Sequence, residues 1–184
     1  MVLYIDHYDS FTNIIVDYMT YLGYEVCVKK TDQEIDDITK YSHIVIGPGP
    51  GHPNELKDKY SIIEYCEQNN IPLLGICLGH QLIAQYYGSN IIKAKQIYHG
   101  KTSRVFQIEE SKLYKNVPDS FNVTRYHSLI VDKIKNPLVT IATTEDKEIM
   151  AFKHKKAKIF GVQYHPEAYL TENGLETLKN FLEI

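Results

Sequence analysis

Tryptophan is absent from this chain of 184 residues, and cysteine occurs only three times. Cys27, Cys66 and Cys77 are odd in number and widely spaced, which argues against a disulfide framework and for a reducing compartment. A basic excess is lacking as well. The 20 Lys and Arg residues face 23 Asp and Glu, a net charge of −3, so neither nucleic acid nor an anionic lipid surface is an expected partner. No apolar run approaches the roughly 18 residues that a membrane span needs. The opening segment carries Asp6 and Asp9 where an export signal would be apolar. Internal repeats, low-complexity stretches and linkers are missing. So are the C-x-x-C and H-x-x-x-H pairs that would favour a metal site, and His52, His80 and His99 are scattered. What is present is an ordinary globular mix, 43% hydrophobic and 23% charged. The length suits one compact domain over residues 1–184, with a cytoplasmic location expected.

The first half alternates short apolar runs with helical patterns. Val2–Ile5, Glu25–Val28, His43–Ile46 and Ile71–Leu74 read as strands. Phe11, Ile14, Ile15, Tyr18, Met19 and Leu22 recur at helical spacing, with Asp9 or Ser10 available as a cap and Gly23 as a stop. Ile35–Ile38, about Asp58–Gln68, and Leu78–Tyr87 read as further helices. Such alternation implies βαβ units and a mostly parallel central sheet flanked by helices. After Gly88 the rhythm becomes β-rich. Ile91–Ala94, Arg104–Ile108, Asn122–Arg125, Thr140–Thr144, Ile149–Lys153 and Lys158–Gln163 read as short strands, before a last helix built on Leu175, Leu178, Phe181 and Leu182. The fold class is therefore α/β.

The strongest local signal is Gly75-Ile76-Cys77-Leu78-Gly79-His80-Gln81, between an apolar strand and a helix. It has the form of a nucleophile elbow with cysteine in place of serine. A helix N-terminus beneath the sulfur favours its thiolate. A cysteine nucleophile needs a base, and the base needs an orienting group. His165 and Glu167 in Gln163-Tyr164-His165-Pro166-Glu167, at the end of another apolar strand, are candidates. Alone, that turn would read as an ordinary surface feature, and the elbow is what raises it. The glycine–proline loop 47–53 follows a strand, where ligand loops of parallel sheets gather. Its backbone N–H groups, with that of Leu78, could form an oxyanion hole. His99-Gly100-Lys101-Thr102-Ser103 lacks the earlier glycine and following helix of a P-loop.

Together these motifs resemble the class I, triad-type glutamine amidotransferases. Asp6–Asn13, Pro48-Gly49-Pro50-Gly51, His99–Ser103 and Arg125-Tyr126-His127-Ser128-Leu129 are similar to the branch that serves anthranilate and aminodeoxychorismate synthases. The resemblance runs along essentially the whole chain. It implies a flavodoxin-like fold and a triad of Cys77, His165 and Glu167. It also implies L-glutamine held by Gly49, Pro50, Gly51, Leu78, Gln81, Ser128 and Leu129. The expected product, ammonia, passes to a separate chorismate-binding synthase subunit. No cofactor is implied on this chain, and Mg2+ is implied on the partner. His7, Gly47 and Ala168 depart from the family's common Asn, Ser and Ser. Two other readings stand beside this one: a free-standing γ-glutamyl hydrolase, which the Asp6–Asn13 and His99–Ser103 segments disfavour, and a catalytically idle partner-binding subunit, which the intact triad disfavours.

Overall fold

Along the first strand, Val2 and Tyr4 pack into one hydrophobic cluster while Leu3 and Ile5 pack into another, and all four are buried. A period of two with both faces apolar demands cover on both sides. The computed structural model describes residues 1–184 and supplies that cover. Strands β1 (Val2–Asp6), β2 (Val26–Lys30), β3 (His43–Ile46) and β4 (Leu73–Ile76) alternate with helices α1 (Thr12–Tyr21), α2 (Tyr60–Asn69) and α3 (Leu78–Tyr86). Strands β5 (Ile91–Lys93), β6 (Lys101–Gln107), β7 (Ser120–Arg125), β8 (Leu129–Val131), β9 (Leu138–Thr144), β10 (Ile149–His154) and β11 (Ile159–Val162) follow. Helix α4 (Gly174–Leu182) ends the element order.

Nine strands form one sheet in the order β2-β1-β3-β4-β11-β10-β9-β6-β7, and β5 pairs with β8 apart from it. The first five strands in that order are parallel. The remaining pairings are antiparallel, so the β-rich second half extends the same sheet. Ile15 and Met19 of α1 join Leu178 and Phe181 of α4 in the cluster on one face. Ile62 and Ile63 of α2 join Leu82 and Ile83 of α3 on the other. No helix is long and apolar enough to cross a membrane.

Several expected boundaries move. Ile35–Ile38 is not a helix; only a 3-10 turn at Ile38–Lys40 forms, with Asp37 capping the N–H of Thr39. The helix expected from about Asp58 begins as a 3-10 segment, Pro53–Lys59, and becomes α-helical at Tyr60. Ile71 and Pro72 precede β4 rather than opening it, and β6 starts three residues before Arg104. Strand β8 was not expected, being short and following directly on the Tyr126–Ser128 turn. Phe11, not Asp9 or Ser10, is the N-cap of α1. Asp9 instead accepts from the Phe11 N–H at 2.8 Å, one position outside the helix.

The topology brings the motifs together. In parallel neighbours the carboxyl ends lie side by side. Ile46 of β3 pairs with Gly75 of β4, and Val162 of β11 pairs with Ile76 of β4. The glycine–proline loop, the Cys77 elbow and the Gln163–Glu167 turn thus leave adjacent strands at one edge.

Candidate active site

Cys77 sits between β4 and α3 with φ 51° and ψ −97°, a conformation L residues avoid at a cost of about 1–3 kcal/mol. The flanking glycines serve close approach rather than positive φ. A Cβ on Gly75 would come within 2.5 Å of the Gly79 backbone. A Cβ on Gly79 would overlap the carbonyl oxygen of Ile46 in β3. The strained turn therefore puts Cys77 at the N-terminus of α3, where the Leu78 N–H has no intrahelical carbonyl to meet. The side chain is 5% exposed.

His165 and Glu167 are each 2% exposed. The Nδ1 of His165 donates to Glu167 Oε1 at 2.6 Å. Its Nε2 has no close hydrogen-bond partner in the protein. Burial opposes a charge on this ring, but interaction with the Cys77 sulfur and with Glu167 outweighs burial and raises its pKa from 6.5 to about 10. Phe11 and Tyr126 pack edge-on against the imidazole, with centroids 5.3 and 5.1 Å away. The turn itself is held by Thr171, whose hydroxyl donates to the His165 carbonyl at 2.7 Å and accepts from the Thr124 N–H at 2.9 Å.

A cavity of about 170 Å³ opens beside the sulfur. Gly49, Pro50, Gly51, Leu78, Gln81, Ser128 and Leu129 all line it with Cys77, so the structure gathers the seven expected substrate residues around one space. Tyr126 and His127 complete the wall. The volume is below the roughly 300–1,000 Å³ of common drug and cofactor pockets, which fits a single small polar molecule. A Cβ on Gly49 would overlap that of His7, and Gly51 takes φ 91°, so the loop needs glycine at both places.

The far wall rests on a buried polar network. Arg125, 1% exposed, pairs with Glu148, donates through Nε to His127 Nε2 at 3.0 Å, and lies over the Tyr98 ring at 3.4 Å. His127 Nδ1 donates to the Leu129 carbonyl at 2.9 Å. Burial and the neighbouring Arg125 lower the His127 pKa to about 3, fixing a neutral ring with Nδ1 as donor. Burial likewise lowers His80 to about 3, leaving it to stack on Phe152 at 4.6 Å.

Sequence reasoning missed Gln163, Arg125 with Glu148, and Gly174. Gln163 was in view only as part of the strand leading to His165. Arg125 and Glu148 lie 23 residues apart with no local signal to join them. Gly174 carried no signal in the sequence. A Cβ there would overlap the Pro166 carbonyl oxygen, between His165 and Glu167.

A cysteine on a strand–helix elbow, an imidazole with a carboxylate behind it, and a small glycine-walled cavity define the class of the cysteine-triad enzymes. Comparison with known proteins narrows the class. The family "Glutamine amidotransferase class-I" matches residues 3–184, and the chain belongs to that family. It is 43% identical over 188 residues to the Anthranilate synthase component 2 of Cyanophora paradoxa, covering 99% of this chain and 98% of the relative. It is 40% identical over 188 residues to the Aminodeoxychorismate/anthranilate synthase component 2 of Bacillus subtilis (strain 168), covering 100% and 96%. Its fold matches a Thermotoga maritima glutamine amidotransferase structure with a TM-score of 0.78 over 99% of this chain and 80% of that one, at 24% identity. The protein is a glutamine amidotransferase with the α/β fold of that family.

Proposed function

We propose that Cys77 is the nucleophile that releases ammonia from L-glutamine, and that the ammonia goes to a separate synthase subunit acting on chorismate. With its proton taken up by His165 Nε2, the sulfur attacks the side-chain carboxamide carbon, and the carbonyl oxygen gains the negative charge. The N–H groups of Leu78 and Gly49, both on the cavity wall, receive that oxyanion. His165 gives a proton to the departing nitrogen, so ammonia leaves and a γ-glutamyl thioester remains. Water, deprotonated by His165, then cleaves the thioester to glutamate and the free thiol. Glu167 holds the imidazole in the useful tautomer. Gln81 accepts from the substrate's α-ammonium through Oε1, because its Nε2 hydrogens are given to the Leu129 carbonyl and Gln163. Gly51, Pro50 and the Ser128–Leu129 backbone close around the amino-acid end. No cofactor takes part on this chain; Mg2+ belongs with the partner.

The observation that carries this reading is the cavity, whose walls include Cys77 and the seven residues expected to hold glutamine. The names of the relatives support two chorismate-using partners, for anthranilate and for aminodeoxychorismate, and one of those names joins both. An ammonia-delivering subunit is expected to idle without its partner. Glutamine hydrolysis by this chain should therefore rise when either synthase subunit and chorismate are added. Equal turnover in all conditions would favour a free-standing hydrolase instead.

A further inference from the structure

Gln163 follows β11 directly and is completely buried. Its backbone N–H is used by the Met150 carbonyl at 2.8 Å, so its side chain is left to turn toward the elbow. Its Nε2 lies 3.6 Å from the Cys77 sulfur, a distance suited to an N–H···S contact. Which end of an amide faces a given atom follows from its whole set of partners. Here the sense is fixed from the other side. Gln163 Oε1 accepts from Gln81 Nε2 at 3.2 Å, and Gln81 Nε2 is also 3.0 Å from the Leu129 carbonyl, which can only accept. Gln81 must therefore offer its NH2 to both, Gln163 must present oxygen to Gln81, and only its NH2 remains for the sulfur.

We propose that Gln163 is a positioning residue for the nucleophile, whose amide donates to the Cys77 sulfur and favours its anionic form. A donor aimed at sulfur stabilises a thiolate more than a thiol, since bonds to charged acceptors are the stronger ones. The donor is locked in that sense by Gln81, a residue of the substrate cavity, so the wall that holds glutamine and the atom that attacks it share one chain of amides. The proposal rests on Cys77 being the nucleophile.

The test is the pH dependence of Cys77 alkylation by iodoacetamide on the full chain, resolved by peptide mass spectrometry, for wild type, Gln163→Met and Gln163→Glu. The steady-state kcat and KM for glutamine are measured alongside, with the synthase subunit bound. Loss of a charge-assisted donor should raise the alkylation midpoint by about 1 pH unit in the Met variant. It should rise further in the Glu variant, where a carboxylate faces the sulfur. The kcat should fall about tenfold or more while KM changes less than about threefold, a split that mere loosening of the cavity would not give. An unchanged midpoint in both variants, or a rise in KM alone, overturns the proposal. The Glu variant preserves shape and the bond from Gln81, so its result decides the matter if the Met variant does not fold. Persistent glutamine hydrolysis by Cys77→Ala in the same assay would overturn the nucleophile reading, a result distinct from an unshifted midpoint.

Discussion

At the scale of single residues, His165 and Glu167 divide one task unequally. In the proposed mechanism the imidazole moves the protons, whereas the carboxylate, 2.6 Å away, only holds it. His165→Ala should therefore lose about 10²–10⁴ in glutaminase kcat, and Glu167→Gln should lose less, since an amide oxygen can still accept from Nδ1. Steady-state rates of the two variants decide the ranking, and equal losses would refute it. The protonation of His165 gives a second prediction. Its pKa is raised from 6.5 to about 10 in the folded chain, despite burial, through Cys77 and Glu167. The stability contributed by the charged ring is thus fully present below about pH 6.5 and is lost as pH rises through about 10. Imidazole NMR should show His165 doubly protonated at pH 8, with His127 and His80 neutral. A His165 signal titrating near pH 6.5 would contradict the ion-pair picture.

At the scale of elements, Gly174 sets the approach of α4 to the turn that carries the triad carboxylate. Helix propensity alone says that Gly174→Ala should help, by up to about 1 kcal/mol. The overlap with the Pro166 carbonyl says otherwise. The Ala variant should melt below wild type and lose up to about 10²-fold in kcat as Glu167 and His165 shift together. A wild-type melting temperature with full activity would show that α4 does not constrain the turn. The strands and helices of the first half were legible in the sequence because each carries a continuous apolar run or a clean helical stripe. The elbow was legible because two glycines around a cysteine have few other uses at a strand–helix junction. Gly174 was not, because its reason is a carbonyl oxygen eight residues earlier in the chain, brought close only by the fold. Ile35–Ile38 misled because two isoleucines three apart fit one helical turn, yet Asp36 and Asp37 between them favour a cap and turn.

At the scale of the whole molecule, function follows from the order of parallel strands. Placing β4 between β3 and β11 sets three loops, far apart in sequence, around one sulfur. No local pattern encodes that neighbourhood; the elbow's need for a base, and the gathering of ligand loops at the carboxyl ends of parallel strands, suggested it, and the resemblance to a family strengthened it. The same edge exposes apolar side chains: Tyr169 is 97% exposed and Leu170 55%, while Tyr8, 54% exposed, has the Lys30 ammonium over its ring. Single exposed apolar residues are common; on the partnership proposed above, Tyr169 and Leu170, just past the His165–Glu167 turn, are the contacts offered to the synthase subunit. Leu170→Asp should weaken the synthase-dependent rise in glutamine hydrolysis at least tenfold while leaving the isolated chain's own rate within about twofold. Titration of the partner against glutaminase rate measures both, and an unaltered titration curve would place the contact elsewhere.

The central claim is that Cys77 is the atom through which glutamine nitrogen enters the synthase reaction. Its most direct test is the Cys77→Ala chain bound to a chorismate-aminating subunit and supplied in turn with glutamine and with ammonium. Product formation should vanish with glutamine and persist with ammonium at the wild-type rate, because the acceptor chemistry belongs to the partner. Glutamine-dependent product from the Ala variant would show that another group releases the ammonia, and the assignment of the site would be wrong.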